Sequence, residues 1–169
     1  MRMNKISYLL FFFLLGLCIF QAFYYYPELP EKVARHFDLA GNPNAWCSKK
    51  FFIIFYFIIT GGVAFLFLGI SLFVSNIPVS LINLPNKEYW LSIENKEETF
   101  AYIEKQLLLF GTATLLLFLF TFHRTFQLHL GRIDKLEYLV PAILIYIVFS
   151  AIWSIDLFLR FRVRKLCTR

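Results

Sequence analysis

The chain has 169 residues, of which 59% are hydrophobic and 22 are Phe, and it carries a formal net charge of +6. Soluble domains usually contain about 45–50% apolar residues, so this composition argues against a water-soluble protein. The positive charge does not indicate a nucleic-acid partner. The Lys and Arg residues lie at the edges of apolar runs, where membrane orientation and anionic lipid headgroups account for them.

Four apolar runs cover residues 6–26, 51–75, 107–122 and 138–159. About 20 helical residues, each advancing about 1.5 Å, cross a hydrocarbon layer about 30 Å thick. The runs therefore predict an all-α integral membrane protein, a single domain over residues 1–169 with four transmembrane helices in a lipid bilayer. Small residues allow helices in lipid to approach closely. They are predicted at the helix contacts at Thr60, Gly61, Gly62, Ala64, Gly69 and Gly111.

The first run also raises the alternative of a cleaved signal peptide, because it follows Arg2 and Lys5. A signal core has roughly 7–15 apolar residues and a small-residue cleavage site. This run is longer and ends in Tyr24, Tyr25 and Tyr26. A retained transmembrane helix is therefore predicted.

The first connection, residues 27–50, contains the densest turn chemistry of the chain. Pro27 and Pro30 end the first helix, since proline cannot continue the helical hydrogen-bond ladder. Gly41-Asn42-Pro43-Asn44 predicts a specified chain reversal. Apolar residues around it (Val33, Phe37, Leu39 and Trp46) indicate that the segment folds back on the bundle as an ordered outer loop.

The residues of this loop resemble the pattern of a bacterial membrane family of unknown function, which also forms the N-terminal part of SdpI-type immunity proteins. The matching positions are Pro30, Arg35, His36, Phe37, Asp38, Gly41, Pro43, Trp46, Ser48 and Lys49. The resemblance is strongest over residues 5–75. A second motif in the cytoplasmic loop, residues 76–106, is similar to stand-alone members of the family, with Asn83, Pro85, Asn86, Tyr89 and Trp90.

SdpI-type proteins protect a cell from a sporulation-delaying toxic peptide and can relay its presence to a repressor. The resemblance therefore implies a toxin-immunity or envelope-signalling role through the outer loop, with a peptide toxin or a cytoplasmic regulator as partner. The candidate recognition residues are Arg35, His36, Asp38, Trp46 and Lys49.

The distribution of Lys and Arg predicts the orientation of the chain. With four spans both termini lie on one side, and that side, including the second connection, holds ten Lys and Arg residues against seven on the other. Cytoplasmic segments of membrane proteins are enriched in Lys and Arg. We expect a multi-pass protein of the cell membrane with both termini in the cytoplasm and residues 27–50 outside.

The three histidines suggest an alternative class, a transporter subunit or a metal- or pH-responsive membrane protein. His36, His123 and His129 all fall in or beside the predicted outer connections, and imidazole both binds metals and titrates near neutral pH. However, the spacing matches no metal motif. Cys18, Cys47 and Cys167 have neither metal-ligand spacing nor an obvious disulfide partner. The prediction is no metal and no cofactor, with the histidines in structural roles.

The second connection contains an acidic segment that predicts a helix start. Ser92 is a plausible N-cap before Glu94, Glu97 and Glu98, and apolar residues at helical spacing predict one long helix that continues into the third span. Glu104 is read with its neighbours as solvated. The alternative is a docking face for a cytoplasmic regulator. Tyr89 and Trp90 are predicted to lie in the headgroup layer with their polar tips in water.

Asp156 is the one acidic residue inside a predicted span, and Arg160 follows four residues later. This spacing permits an ion pair on one helix face, whereas an ion path is the alternative. No nucleophile with an adjacent base, no phosphate-binding glycine loop and no pair of catalytic carboxylates is recognisable. The chain is therefore not predicted to be an enzyme.

Overall fold

The computed structural model describes residues 5–162, which form five α-helices and one two-stranded antiparallel sheet. In chain order the elements are α1 (Lys5–Tyr25), β1 (Lys32–Phe37), β2 (Pro43–Ser48), α2 (Lys49–Phe73), α3 (Lys87–Trp90), α4 (Lys96–His129) and α5 (Leu139–Arg162). Short 3-10 turns follow α1 and α2.

Four of the helices, α1, α2, α4 and α5, are long and apolar enough to cross a membrane. This confirms the four helices expected from the apolar runs. The helix α4 has 34 residues, which corresponds to about 51 Å at 1.5 Å per residue. It therefore extends well beyond an apolar layer about 30 Å thick, and its first turns carry the polar segment that the sequence predicted.

The helix α4 is the centre of the bundle. Both α1 and α2 pack extensively against it, whereas they contact each other little, and α5 packs more loosely on its other side. One buried cluster joins Phe11, Ala64, Leu108 and Leu115 midway along the helices. A second lies towards the end of α4 and includes Tyr25, Phe52, Tyr56 and Phe126.

Gly111 lies where α4 closely approaches α1 and α2. A Cβ atom at this position would lie 2.8 Å from the Cβ atom of Phe67 and 2.9 Å from the Phe11 ring. By contrast, a Cβ atom at Gly61, Gly62 or Gly69 would meet nothing within 4 Å. Thus, of the glycines predicted at helix contacts, Gly111 is correctly assigned and the three of α2 are not.

The first connection contains a β-hairpin, so the chain is not purely α-helical as predicted. Strands β1 and β2 pair Lys32 with Ser48 and Phe37 with Pro43, with register irregularities between Ala34 and Phe37. The reversal occurs over Asp38–Asn42, with Gly41 at φ +83°. It therefore precedes the predicted position, and Pro43 already belongs to β2.

The second connection folds against the end of α5. Trp90 is buried, its indole nitrogen donates to the carbonyl oxygen of Phe161 at 2.8 Å, and its ring meets the Phe161 ring edge-on. Asn86 adopts a left-handed conformation and donates to the carbonyl oxygens of Phe161 and Arg162. These hydrogen bonds attach the second connection to the last described turn of α5, and they bury the indole nitrogen of Trp90, so the prediction that the tip of Trp90 lies in water is wrong.

The long helix α4 begins at Lys96, and its N-cap position is Asn95, not the predicted Ser92. The Asn95 side chain donates to the Ser92 hydroxyl and to the carbonyl oxygen of Tyr89. Thr99 in the first turn donates to the carbonyl oxygen of Trp90 at 2.8 Å. The acidic segment is therefore fixed to the Trp90 region before the helix starts.

We expect Gly111→Ala to destabilise the bundle by about 1–3 kcal/mol, the usual cost of overpacking a filled core. Thermal unfolding of the detergent-solubilised protein followed by circular dichroism measures the change. Gly62→Ala is the matched control, because its Cβ atom has open space, and alanine is the better helix former by about 0.5–1 kcal/mol. Equal stability of the two variants would contradict the close contact at Gly111.

Candidate functional site

The hairpin lies at the end of the bundle where α1 ends, α2 begins, α4 ends and α5 begins; we call this the hairpin end. The opposite end, with the start of α1, the end of α2 and the loop of Asn86 and Trp90, is called the loop end. Most residues of the predicted recognition motif belong to the hairpin. The hairpin end is therefore the candidate recognition site.

The tip of the hairpin is attached through Gly41. Its carbonyl oxygen accepts a hydrogen bond of 3.2 Å from the backbone nitrogen of Leu136, in the connection between α4 and α5. A Cβ atom on Gly41 would lie 2.8 Å from the Leu136 backbone. Glycine is therefore required twice, for its positive φ and for this close backbone approach.

The base of the hairpin is attached through charged residues. Lys49 forms an ion pair with Glu31 at 2.8 Å and lies 5.7 Å from the centroid of the Tyr26 ring. Arg132, which follows α4, reaches back to Glu28 at 2.9 Å. These pairs tie the segment before β1 to the start of α2 and to the segment that follows α4.

The Ser48 hydroxyl accepts a hydrogen bond from the backbone nitrogen of Phe51 at 3.3 Å and caps α2. A serine at this position satisfies one of the free amides of the first helical turn. The Ser-Lys pair of the motif is thus structural: Ser48 starts α2 and Lys49 holds the preceding strand.

The inner surface of the hairpin packs on the bundle. Val33 is fully buried and belongs to the cluster of Tyr25, Phe52 and Phe126. The His129 ring of α4 interacts with the backbone of Ala34. It also contacts the Phe52 ring edge-on, with 5.2 Å between the two ring centroids. The hairpin is therefore an integral part of the fold and not a free loop.

The outer surface of the hairpin holds the exposed motif residues. His36 donates through Nδ1 to the side-chain oxygen of Asn44 on the neighbouring strand. Trp46 pairs with Ala34 across the ladder and is 58% exposed. Pro30 is also exposed, in the segment before β1. The structure therefore places Trp46 on a fixed strand, with its ring free for contact.

Asp38 organises the turn of the hairpin. Its carboxylate accepts hydrogen bonds from the backbone nitrogen of Asn42 at 2.8 Å and from the Asn42 side chain at 3.2 Å. Because these bonds favour the charged carboxylate, they lower the pKa of Asp38. The hydrogen bond and charge of Lys49 likewise lower the pKa of Glu31. Asp38 thus shapes the turn and is already engaged.

A groove of about 210 Å³ lies between the hairpin and the helices. The hairpin contributes Arg35, Phe37 and Cys47, and the helices contribute mainly aromatic residues and the hydroxyls of Thr121 and Thr125. Phe51 and Phe55 of α2 are about half exposed along it. No ion pair of Arg35 occurs within residues 5–162, so the groove combines an available positive charge with apolar walls.

A chain of buried polar side chains beneath the hairpin was not predicted. The Tyr56 hydroxyl donates to the carbonyl oxygen of Cys18 at 2.8 Å and lies 3.2 Å from the side-chain oxygen of Gln21, and the Gln21 amide nitrogen donates to the carbonyl oxygen of Leu119. Close by, Gln127 donates to the Tyr25 hydroxyl at 2.9 Å. Gln21, an amide inside the first apolar run, was the available sequence signal, and its hydrogen bonds connect α1 with α2 and α4.

The histidines lie at separate places. His36 is in the hairpin, His123 contacts the Tyr25 hydroxyl at 3.3 Å, and His129 faces Ala34. Within the described part of the chain, no group of three or more His, Cys, Asp or Glu side chains is arranged to hold a metal ion. The geometry thus gives each histidine a neighbour within the fold.

The predicted ion pair between Asp156 and Arg160 does not form. The Arg160 guanidinium lies 3.8 Å from the centroid of the Tyr102 ring, and the ion pairs between residues 5 and 162 do not include Asp156.

The reading of Glu104 as a solvated residue is also wrong, because Glu104 is 3% exposed. The buried carboxylate of the bundle is Glu104.

Residues 10–60 match a family model described as Domain of unknown function (DUF1648). The matched segment includes most of α1, the hairpin and the first half of α2, so it contains the candidate site. It agrees with the resemblance of this part of the chain to a family of unknown function. No curated protein and no solved structure matches the chain.

Gly41→Ala is expected to detach the hairpin tip, because the new methyl group would overlap the Leu136 backbone. Limited proteolysis of the solubilised protein should then cut within residues 38–44 much faster than in the unmodified chain. Gly131→Ala is the control: Gly131 also has positive φ, at +66°, but its Cβ atom would meet nothing within 4 Å. Equal cleavage of the two variants would show that strain at positive φ, not docking on Leu136, determines the effect.

The turn at Asp38 is expected to loosen in acid. Because the folded turn lowers the pKa of Asp38, its stabilising effect is complete above the ordinary value of about 3.9 and is lost as the pH falls through the lowered pKa. Hydrogen exchange at the Asn42 amide, corrected for intrinsic rates, should stay constant above about pH 4 and accelerate as the pH falls below that value. Asp38→Asn should remove this pH dependence; protection that stays constant in the unmodified chain would contradict it.

Proposed function

We propose that the chain is a multi-pass protein of the cell membrane, with the hairpin end outside and both termini in the cytoplasm. The apolar character of α1, α2, α4 and α5 supports insertion. The excess of Lys and Arg in the segments at the loop end supports this orientation. The hairpin then stands at the outer surface, where a ligand that attacks or inserts into the membrane first arrives.

We further propose that the hairpin end recognises a membrane-active peptide, in an immunity or envelope-signalling role of SdpI-like type. The observation that carries the proposal is Trp46, which is 58% exposed on a strand whose inner side is packed into the bundle. Tryptophan is enriched among residues that dominate protein interfaces. A ring held on a fixed strand also loses little conformational freedom on binding.

The groove beside Arg35 supports a peptide ligand with both apolar and acidic groups. Its aromatic walls, with Phe51 and Phe55 half exposed, offer burial for apolar side chains. The Arg35 guanidinium offers a charge-assisted hydrogen bond to a carboxylate or a peptide C-terminus. The resemblance of the loop to the corresponding part of SdpI-type proteins points to the same class of ligand.

Cells that express the protein should therefore tolerate several-fold higher concentrations of at least one amphipathic membrane-active peptide than cells without it, measured as growth inhibition over a panel of such peptides. Trp46→Ala should remove this protection while the amount of protein in the membrane stays the same. Ile93→Ala is the matched control, because Ile93 is an equally apolar, 88% exposed residue at the loop end.

Protection that survives Trp46→Ala would reject the hairpin as the recognition surface. The absence of protection against every peptide of the panel would reject the peptide-binding role itself.

A further inference from the structure

Glu104 is a carboxylate buried inside the bundle near the loop end. Its side chain is 3% exposed, and its Oε1 atom has no hydrogen-bond partner. Glu104 lies one helical turn before Leu108 and two turns before Gly111, so it shares the face of α4 that packs against α1 and α2. A glutamate in this position is directed into the bundle, and its charge is costly to bury unless it is compensated.

Two hydroxyl groups from the other helices face this carboxylate. Tyr8 of α1 interacts with the side chains of both Ser71 and Glu104. Ser71 of α2 is 2% exposed, and its hydroxyl oxygen is also without a hydrogen-bond partner. Partly buried Tyr8 therefore links the buried side chains of Ser71 and Glu104, and we call these three residues from three helices the oxygen cluster (Tyr8, Ser71 and Glu104).

The charge of the oxygen cluster is not balanced by the surrounding side chains. The ion pairs found within residues 5–162 are those of Lys49, Arg132 and Lys135, all towards the hairpin end, and none of them includes Glu104. Two buried oxygens without hydrogen-bond partners, one on the Ser71 hydroxyl and one on the Glu104 carboxylate, are an arrangement that a small cation completes, since hard cations prefer carboxylate and hydroxyl oxygens.

We propose that the oxygen cluster binds a monovalent cation, with Na⁺ as the tested species. One carboxylate and two neutral hydroxyls carry a single negative charge, so a monovalent cation makes the site neutral. A divalent cation would leave one positive charge buried, at a large desolvation cost. Within the described residues no group of three or more His, Cys, Asp or Glu side chains is arranged to hold a metal ion, which agrees with a low-charge ion.

The structure also provides an approach to the site. A cavity of about 250 Å³ at the loop end is lined by Ser75, Lys96, Glu97 and Phe100. Ser75 lies four residues after Ser71, in the 3-10 turn that follows α2, and Phe100 precedes Glu104 by one turn of α4. The cavity thus lies one turn further out along both helices, on the side from which a cation in solution would arrive.

The test is the thermal stability of the full-length protein in detergent, measured in NaCl and in choline chloride at equal ionic strength. Binding to the folded state raises the unfolding temperature with ligand concentration. The unmodified protein should therefore show a saturable rise with Na⁺ that choline does not produce. Ser71→Ala should shift the half-maximal response to several-fold higher Na⁺ concentration.

Glu104→Gln keeps the size of the side chain, removes its charge and should abolish the response to Na⁺ without loss of folding, because a neutral amide needs no counter-ion. Glu98→Gln is the matched control, since Glu98 is exposed on the same helix; it should respond like the unmodified protein. Indifference of the unmodified protein to Na⁺, or a saturable response that persists in Glu104→Gln, would overturn the proposal. A dependence on pH alone would also overturn it.

Discussion

The outward surfaces of the long helices are the constraint on which the rest of the structure depends. Each of the four long helices contains an apolar stretch of 18 residues, and little of that stretch is buried within the chain: 28% in α1, 22% in α2, 22% in α4 and 0% in α5. Large apolar side chains such as Phe65, at 81% exposed, and Ile145, at 70%, would associate or aggregate in water. A hydrocarbon layer is the environment in which such surfaces are stable, and helices satisfy their own backbone groups there. The polar features of the fold are accordingly collected at the two ends of the bundle and along the buried face of α4.

The helix α4 connects these two ends. Near its end, His129 and Phe126 hold the inner surface of the hairpin, and the connection that follows it docks the hairpin tip at Gly41. Near its start, Glu104 lies between α1 and α2. In the proposed scheme, ligand at the hairpin and a cation at the oxygen cluster would act on the same helix. An interaction between the two sites would require two arrangements of α4 that the ligands favour differently.

The four helices followed from the apolar runs, because length and hydropathy alone define such segments. The hairpin did not, since six-residue strands such as Pro43–Ser48 mix polar and apolar residues and are formed by pairing and by docking on α4. Gly41 was identifiable as a turn residue, but its contact with Leu136 depends on a segment far along the chain. Glu104 was misread because it was grouped with Glu97 and Glu98, whereas its helix face is set by Leu108 and Gly111. The partner of Arg160 was misassigned because spacing along α5 indicates only partners on the same helix, whereas Tyr102 belongs to α4.

We propose that an apolar layer separates the hairpin end from the loop end. Single cysteines in a background without Cys18, Cys47 and Cys167 test it most directly. Leu39 at the hairpin tip is 92% exposed and Ile93 at the loop end is 88% exposed, so cysteines at these positions can react freely. With a membrane-impermeant maleimide, Leu39→Cys should be labelled in intact cells and Ile93→Cys only after lysis. Labelling of both positions in intact cells, or of Ile93→Cys alone, would contradict the account.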